Sequence, residues 1–342
     1  MRTHRAATVG LVCLTAVLST GAGPLRAQPP SPGEGVIVDE YTKTRLGENA
    51  LTRTIDTCAL LDPGSVKEIF GAPPRVISLN GFDRCSMTVE PTGDSLRSWS
   101  ISVNTGFTTV TKTDNAETLD LHGRTFARRK DRELPGLVDF RCTWALLSDG
   151  QGTPTVELGV DWHGMKNEPP PKPQCDLAKA YLPKVAPYLI TPSRRGEGAS
   201  KPELTLPTKD PCVAMPELAK RFGKPGQQPK MTSVSPFSCT LALSAYDPRS
   251  RERPEEIEVS FRWADNPAHK AANPVTIGGK PGNMAERGID KKCQVDLQYD
   301  PTMVPERYAT EPDGRDVQTI TVVAKTCDVA QPAAELAVKG AR

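Results

Sequence analysis

The sequence is short of most features that announce an enzyme. It has no Gly-x-Ser-x-Gly elbow, no His-Glu-x-x-His helix and no glycine-rich turn leading from a strand into a helix, which removes the familiar serine hydrolases, metalloproteases and phosphate-binding folds. Histidine occurs only 4 times and no Cys-x-x-Cys is present, so the usual spacing of a structural zinc site is missing. Aromatic residues make up 5% of the chain while prolines number 33, a composition of modest cores and many rigid loops. Lean cores of this kind gain from covalent bracing. Long apolar runs are also missing, with one exception at the N-terminus.

That exception has the order of a secretory signal peptide: Arg2, His4 and Arg5, an apolar stretch from Ala6 to Leu18, then small residues and a cleavage site at Leu25-Arg26-Ala27. An apolar core this short cannot span a bilayer, which takes roughly 20 residues of helix, so the segment is expected to be removed. A cut after Ala22 would serve as well. Cys13 is a poor lipid-attachment site, because Gly10-Leu11-Val12 puts a bulky residue just before it and apolar sequence continues past it. The expected location is therefore secreted or extracytoplasmic, without a lipid anchor or a transmembrane segment. Removing Arg2, Arg5 and Arg26 from 43 basic residues leaves 40 against 41 acidic ones, a formal charge of −1. No global field draws such a chain to nucleic acid.

With Cys13 gone, eight cysteines remain, and they fall into two sets of four: Cys58, Cys85, Cys142 and Cys175, then Cys212, Cys239, Cys293 and Cys327. The steps are 27, 57 and 33 in the first set and 27, 54 and 34 in the second, and their neighbours agree. Phe70-Gly71 answers Phe222-Gly223, and Cys175-Asp176-Leu177-Ala178 answers Cys327-Asp328-Val329-Ala330. This is an internal duplication. Outside the cytosol an even cysteine count implies disulfides. Four cysteines allow three pairings per copy; the expected one is sequential, Cys58 to Cys85, Cys142 to Cys175, Cys212 to Cys239 and Cys293 to Cys327. Each such loop of about 30 residues contributes roughly 3 to 4 kcal/mol.

The organisation expected is a signal peptide over 1–27, a disordered lead-in over 28–50 that opens Pro29-Pro30-Ser31-Pro32-Gly33, a first domain over 51–190, a Pro- and Gly-rich linker over 191–207 and a second domain over 208–342. In each copy Asp56 or Asp210 is expected to cap a short helix that stops at Gly71 or Gly223. Period-two alternation predicts strands at 85–89, 99–103, 138–146 and 155–162, and in the second copy at 257–263, 294–297 and 317–323. A closing helix from Asp176 or Asp328 places Leu177, Tyr181, Leu182, Val185 and Leu189 on one face. The fold class is α+β: two tandem homologous domains, each an antiparallel sheet with a short N-terminal and a C-terminal helix and two disulfides.

Asp210-Pro211-Cys212 before a short amphipathic helix, a second cysteine 27 residues on and a late helix opening Asp-[Leu/Val]-Ala resemble an exported, often lipid-anchored actinobacterial domain family of unknown function. Copy one has Thr57 in place of the proline, although its Cys58-Ala59-Leu60-Leu61 fits the remainder of that opening motif. The resemblance implies an extracytoplasmic location and a fold, but no reaction. A more distant likeness is to the extracellular sensor domains of bacterial kinases.

Candidate chemistry is sparse. Gly278-Gly279-Lys280-Pro281-Gly282 is glycine-rich but has proline where a phosphate-binding helix would start. Asp161 and His163 share one strand face and have the makings of an acid/base pair, although a polar strand edge is the simpler reading. Arg124, Arg128, Arg129, Lys130 and Arg132 form the densest basic patch, which suits a cell-wall polyanion if it is not simply a solvated loop diluted by Asp131 and Glu133. Trp99, Trp144, Trp162 and Trp263 lie in predicted strands and suit a core better than a sugar-stacking platform. No catalytic, metal or cofactor site emerges from these residues. The expected function is a secreted non-enzymatic binding or sensing module of the cell envelope, its partner a protein or a cell-wall ligand. An exported hydrolase with an unfamiliar site and an envelope assembly protein are the alternatives.

Overall fold

The structure is a computed structural model. It describes residues 35–106, 116–129, 141–147, 155–165, 168–197, 203–244, 254–300 and 316–342. Its elements are α1 (Glu40–Arg53), α2 (Pro63–Phe70), β1 (Val76–Gly81), β2 (Arg84–Val89), β3 (Ser98–Thr105), β4 (Thr118–Leu121), β5 (Arg124–Arg128), β6 (Arg141–Leu146), β7 (Val156–His163) and α3 (Gln174–Ile190). The second half contributes α4 (Met215–Phe222), β8 (Lys230–Ser235), β9 (Ser238–Ala242), β10 (Glu256–Asp265), β11 (Pro274–Ile277), β12 (Lys280–Arg287), β13 (Lys292–Asp300), β14 (Asp316–Ala324) and α5 (Cys327–Gly340). Short 3-10 turns sit at Thr57–Leu60, Leu206–Thr208 and Pro211–Ala214.

The strands form two seven-stranded antiparallel sheets. One runs β1-β2-β3-β7-β6-β5-β4 and the other, read from its far edge, β8-β9-β10-β14-β13-β12-β11. The order is the same in both, and so is the register: Cys85 faces Val103 across β2 and β3, and Cys239 faces Val259 across β9 and β10. The outer hairpins match too. His122 and Gly123 turn β4 into β5 with φ of 52° and 74°, and Gly278 and Gly279 turn β11 into β12 with φ of 57° and 79°. Both are two-residue turns of the mirror-image type that suits twisted strands. The glycine-rich run thus belongs to a hairpin.

Alternation in β3 and β10 buries one face strongly, with Trp99, Ile101 and Val103 in one copy and Ile257, Val259 and Phe261 in the other. Helix α3 packs on β6 and β7 through Leu177, Tyr181, Leu182, Val185 and Leu189, all buried, and α5 packs equivalently on β13 and β14. Four disulfides join Cys58 to Cys85, Cys142 to Cys175, Cys212 to Cys239 and Cys293 to Cys327, the sequential pairing. Each ties a 3-10 turn to its neighbouring strand, or a strand to the start of the closing helix. Among the described residues no helix is long and apolar enough to cross a membrane.

Three local expectations change. The disordered lead-in at 28–50 gives way, from Asp39 on, to a capped helix: Asp39 accepts from the Thr42 N–H at 2.8 Å and α1 runs to Arg53. Asp56 and Asp210 head only the 3-10 turns at Thr57–Leu60 and Pro211–Ala214; the cap of α2 is Asp62, whose carboxylate accepts from the Gly64 N–H at 3.0 Å, and α4 starts after Ala214 with no side-chain cap. The described ends of the 191–207 linker are docked: Arg194 bridges to Ile55, and Leu204 and Leu206 are buried.

Candidate functional site

The two domains meet through equivalent hairpin tips. The β1–β2 turn carries Phe82 and Asp83, and the β8–β9 turn carries Pro236 and Phe237. Both turns are pinned to the next strand in the same way, since the Thr105 N–H donates to the Asp83 carbonyl at 2.9 Å and the Phe261 N–H to the Phe237 carbonyl at 2.8 Å. The rings of Phe82 and Phe237 meet edge to face with centroids 5.4 Å apart, an aromatic contact across the junction.

Helix α1 reinforces this contact from one side. Its last residue, Arg53, is buried; its guanidinium lies 3.2 Å from the Asp210 carboxylate and donates to the Pro236 carbonyl at 3.2 Å. Burial pulls the Arg53 pKa down and the Asp210 charge acts against that pull. Arg195 closes the knot, donating to the carbonyls of Phe82 at 2.6 Å and Arg53 at 3.2 Å. Ahead of the helix, Ile37 makes a single parallel β-bridge to Lys230 on the edge of β8. Its N–H donates to the Pro229 carbonyl at 2.8 Å, and its carbonyl accepts from the Met231 N–H at 3.1 Å. Asp39 adds an ion pair with Lys230 at 3.1 Å.

Beside these tips opens a cleft of about 260 Å³. Asn80, Gly81, Phe82 and Asp83 line it from the first domain, and Ser235, Phe237, Ser238 and Ser260 to Trp263 from the second. Phe82, Phe237, Phe261 and Trp263 are themselves buried, so the floor is aromatic, while Asn80, Asp83, Ser235, Ser238 and Arg262 supply a polar rim. Asp83 is half-buried, and burial pushes its carboxyl above the ordinary value, with Arg84 and Arg195 pulling the other way. A concave junction with an apolar floor and a few polar groups is the usual form of a small-molecule site.

The residues singled out from the sequence lie elsewhere. In the basic patch, Arg128 sits 3.6 Å from Glu117, Arg129 sits 2.6 Å from the buried Glu157 and Arg124 donates to the Leu147 carbonyl at 3.3 Å; Lys130 and Arg132 lie outside the described residues. The pairing neutralises much of the field that the sequence suggested. Asp161 is held by Arg141 at 2.6 Å, while His163 is exposed at the end of β7. Trp99, Trp144 and Trp162 are buried in the first sheet, and Trp263 is both buried and part of the cleft. Among the described residues no group of three or more His, Cys, Asp and Glu gathers as a metal site.

No family model matches the chain, and neither a curated protein nor a solved structure matches it.

Proposed function

We propose that this chain is an exported, non-catalytic binding or sensing module of the cell envelope or extracellular space, and that its ligand is held in the cleft between the two domains. The observation that carries the reading is that one cavity draws its walls from both copies, with four aromatic side chains beneath a polar rim. A ligand there touches both domains at once, so binding reports on their relative position. None of His122, His163 and His269 lines the cavity. The disulfide frame suits an oxidising compartment, and the same reading places the chain beside the exported domains that share the Asp-Pro-Cys opening.

The test is a ligand survey on the oxidised mature chain, using amino acids, short peptides, monosaccharides and soluble cell-wall fragments. Trp263 fluorescence and amide exchange are the readouts. A ligand of the cleft should slow exchange at 80–83 and 260–263 together. A ligand that protects a region remote from both hairpin tips, such as the Leu96 and Met165 end of the first sheet, would refute this placement.

A further inference from the structure

The cleft is lined by one charged side chain of each sign, Asp83 from the first domain and Arg262 from the second. Asp83 sits in the β1–β2 turn with its main chain fixed by Thr105; its carboxylate accepts from its own backbone N–H and feels the fields of Arg84 and Arg195. The carboxylate folds over Gly81, where Oδ1 lies 2.9 Å from the position of any added Cβ. Gly81 also has φ of +150°, so a side chain there would displace the carboxylate as well as strain the turn. In the second domain's part of the lining, Arg262 donates from Nε to Ser260 Oγ at 3.1 Å and pairs through Nη2 with Glu258 at 3.5 Å, leaving Nη1 with no acceptor among the described residues. Its side chain is 49% exposed, so it can turn toward an incoming acceptor.

The same cleft is lined by Phe82, Phe237, Phe261 and Trp263, in a volume that suits one amino acid or a small dipeptide rather than a polymer. We propose that the cleft binds a zwitterionic amino compound with an apolar side chain, an amino acid or dipeptide, whose ammonium pairs with Asp83, whose carboxylate pairs with Arg262 and whose side chain rests on Phe237, Phe261 and Trp263. This rests on the cleft being the binding site. The two charged contacts are the type that fixes orientation, because a buried charge left without its partner costs more than a neutral group. A ligand held this way spans the junction and draws the domains together.

The test compares four probes on the oxidised full-length mature chain by calorimetry and amide exchange: phenylalanine, phenylalanine amide, N-acetylphenylalanine and alanyl-phenylalanine. Phenylalanine or the dipeptide should bind with protection at 80–83 and 260–263, and removing either charge should raise Kd by roughly tenfold or more, the loss of one charge-assisted contact. Asp83→Asn should weaken the zwitterion and the amide while leaving the acetylated probe unaffected, and Arg262→Gln should weaken the zwitterion and the acetylated probe while leaving the amide unaffected. The capped probes keep the comparison on the unaltered chain should a variant fail to fold. Equal binding of a capped probe with protection still in the cleft overturns the zwitterion and leaves the cleft standing. No binding by any of the four overturns the zwitterion, and the wider survey then judges the cleft separately.

Discussion

At Asp83 burial works against ionisation, so the carboxyl is held above its ordinary value of 3.8, and the fields of Arg84 and Arg195 offset this only in part. Linkage fixes the sign of the effect on stability. Below pH 3.8 the carboxyl is protonated in both folded and unfolded chains and costs nothing; as pH rises toward the folded value, the unfolded chain releases its proton first and stability falls. Asp83→Asn should therefore melt a few degrees higher than the parent at pH 7, and the gain should vanish below pH 3.8. Thermal unfolding at both pH values measures it, and an equal gain at both would show that the charge is not its origin. A residue that burdens the fold in this way is expected where function needs it. Nothing in the sequence marks Asp83, because Gly81-Phe82-Asp83-Arg84 reads as an ordinary hairpin turn. The same is true of Arg262 within a regular strand. Their significance appears only when two tips distant in the chain are placed side by side.

Among the elements, α1 shows why some structure is hidden from pattern reading. Its buried residues are Thr42, Leu46, Asn49, Thr52 and Arg53, which keep helical spacing but include one aliphatic side chain. A search for an apolar stripe passes over it. The central strands β3, β7 and β10 are legible because apolar residues alternate with polar or small ones along their sequences, whereas β1, β4, β8 and β11 are short, partly exposed edge strands with little contrast. The edge at β8 is the one the N-terminal segment covers. Asp39 serves it twice, capping α1 and pairing with Lys230, and hydrogen bonds from Thr42 and Lys230 hold its carboxyl down to about 2. The pair is exposed, so the strap depends mainly on the two backbone hydrogen bonds of Ile37. Ile37→Pro removes one of them. It should speed exchange of the Met231 amide while amides in β9 and β10 keep their protection. Unchanged exchange at Met231 would mean that the Ile37 N–H bond is not what holds the strap on β8.

The whole molecule is a duplication made unequal by one addition. Cysteine spacing made the repeat legible but left three pairings open within each copy, and the structure has the expected sequential one, which closes loops of 27 to 34 residues. The way the copies dock left no such trace. It depends on α1, which has no counterpart before α4 among the described residues, where the 3-10 turns at Leu206–Thr208 and Pro211–Ala214 stand. Each copy has its own sheet, closing helix and two disulfides, so each can fold as a unit and coupling is concentrated at the junction. There the Arg53 and Asp210 side chains are only 6% and 17% exposed. Removing one partner leaves the other charge buried without compensation, which costs about 3 kcal/mol or more, whereas replacing both by apolar groups is close to neutral. Arg53→Met should accordingly lower stability by that order and divide a single calorimetric unfolding transition into two, as the domains lose their shared knot. Adding Asp210→Leu should return much of the lost stability by removing the stranded carboxylate. If Arg53→Met left one transition at an unchanged midpoint, the domains would be joined by the aromatic contact and the strap alone, and the ion pair would have no part in transmitting ligand binding from one copy to the other.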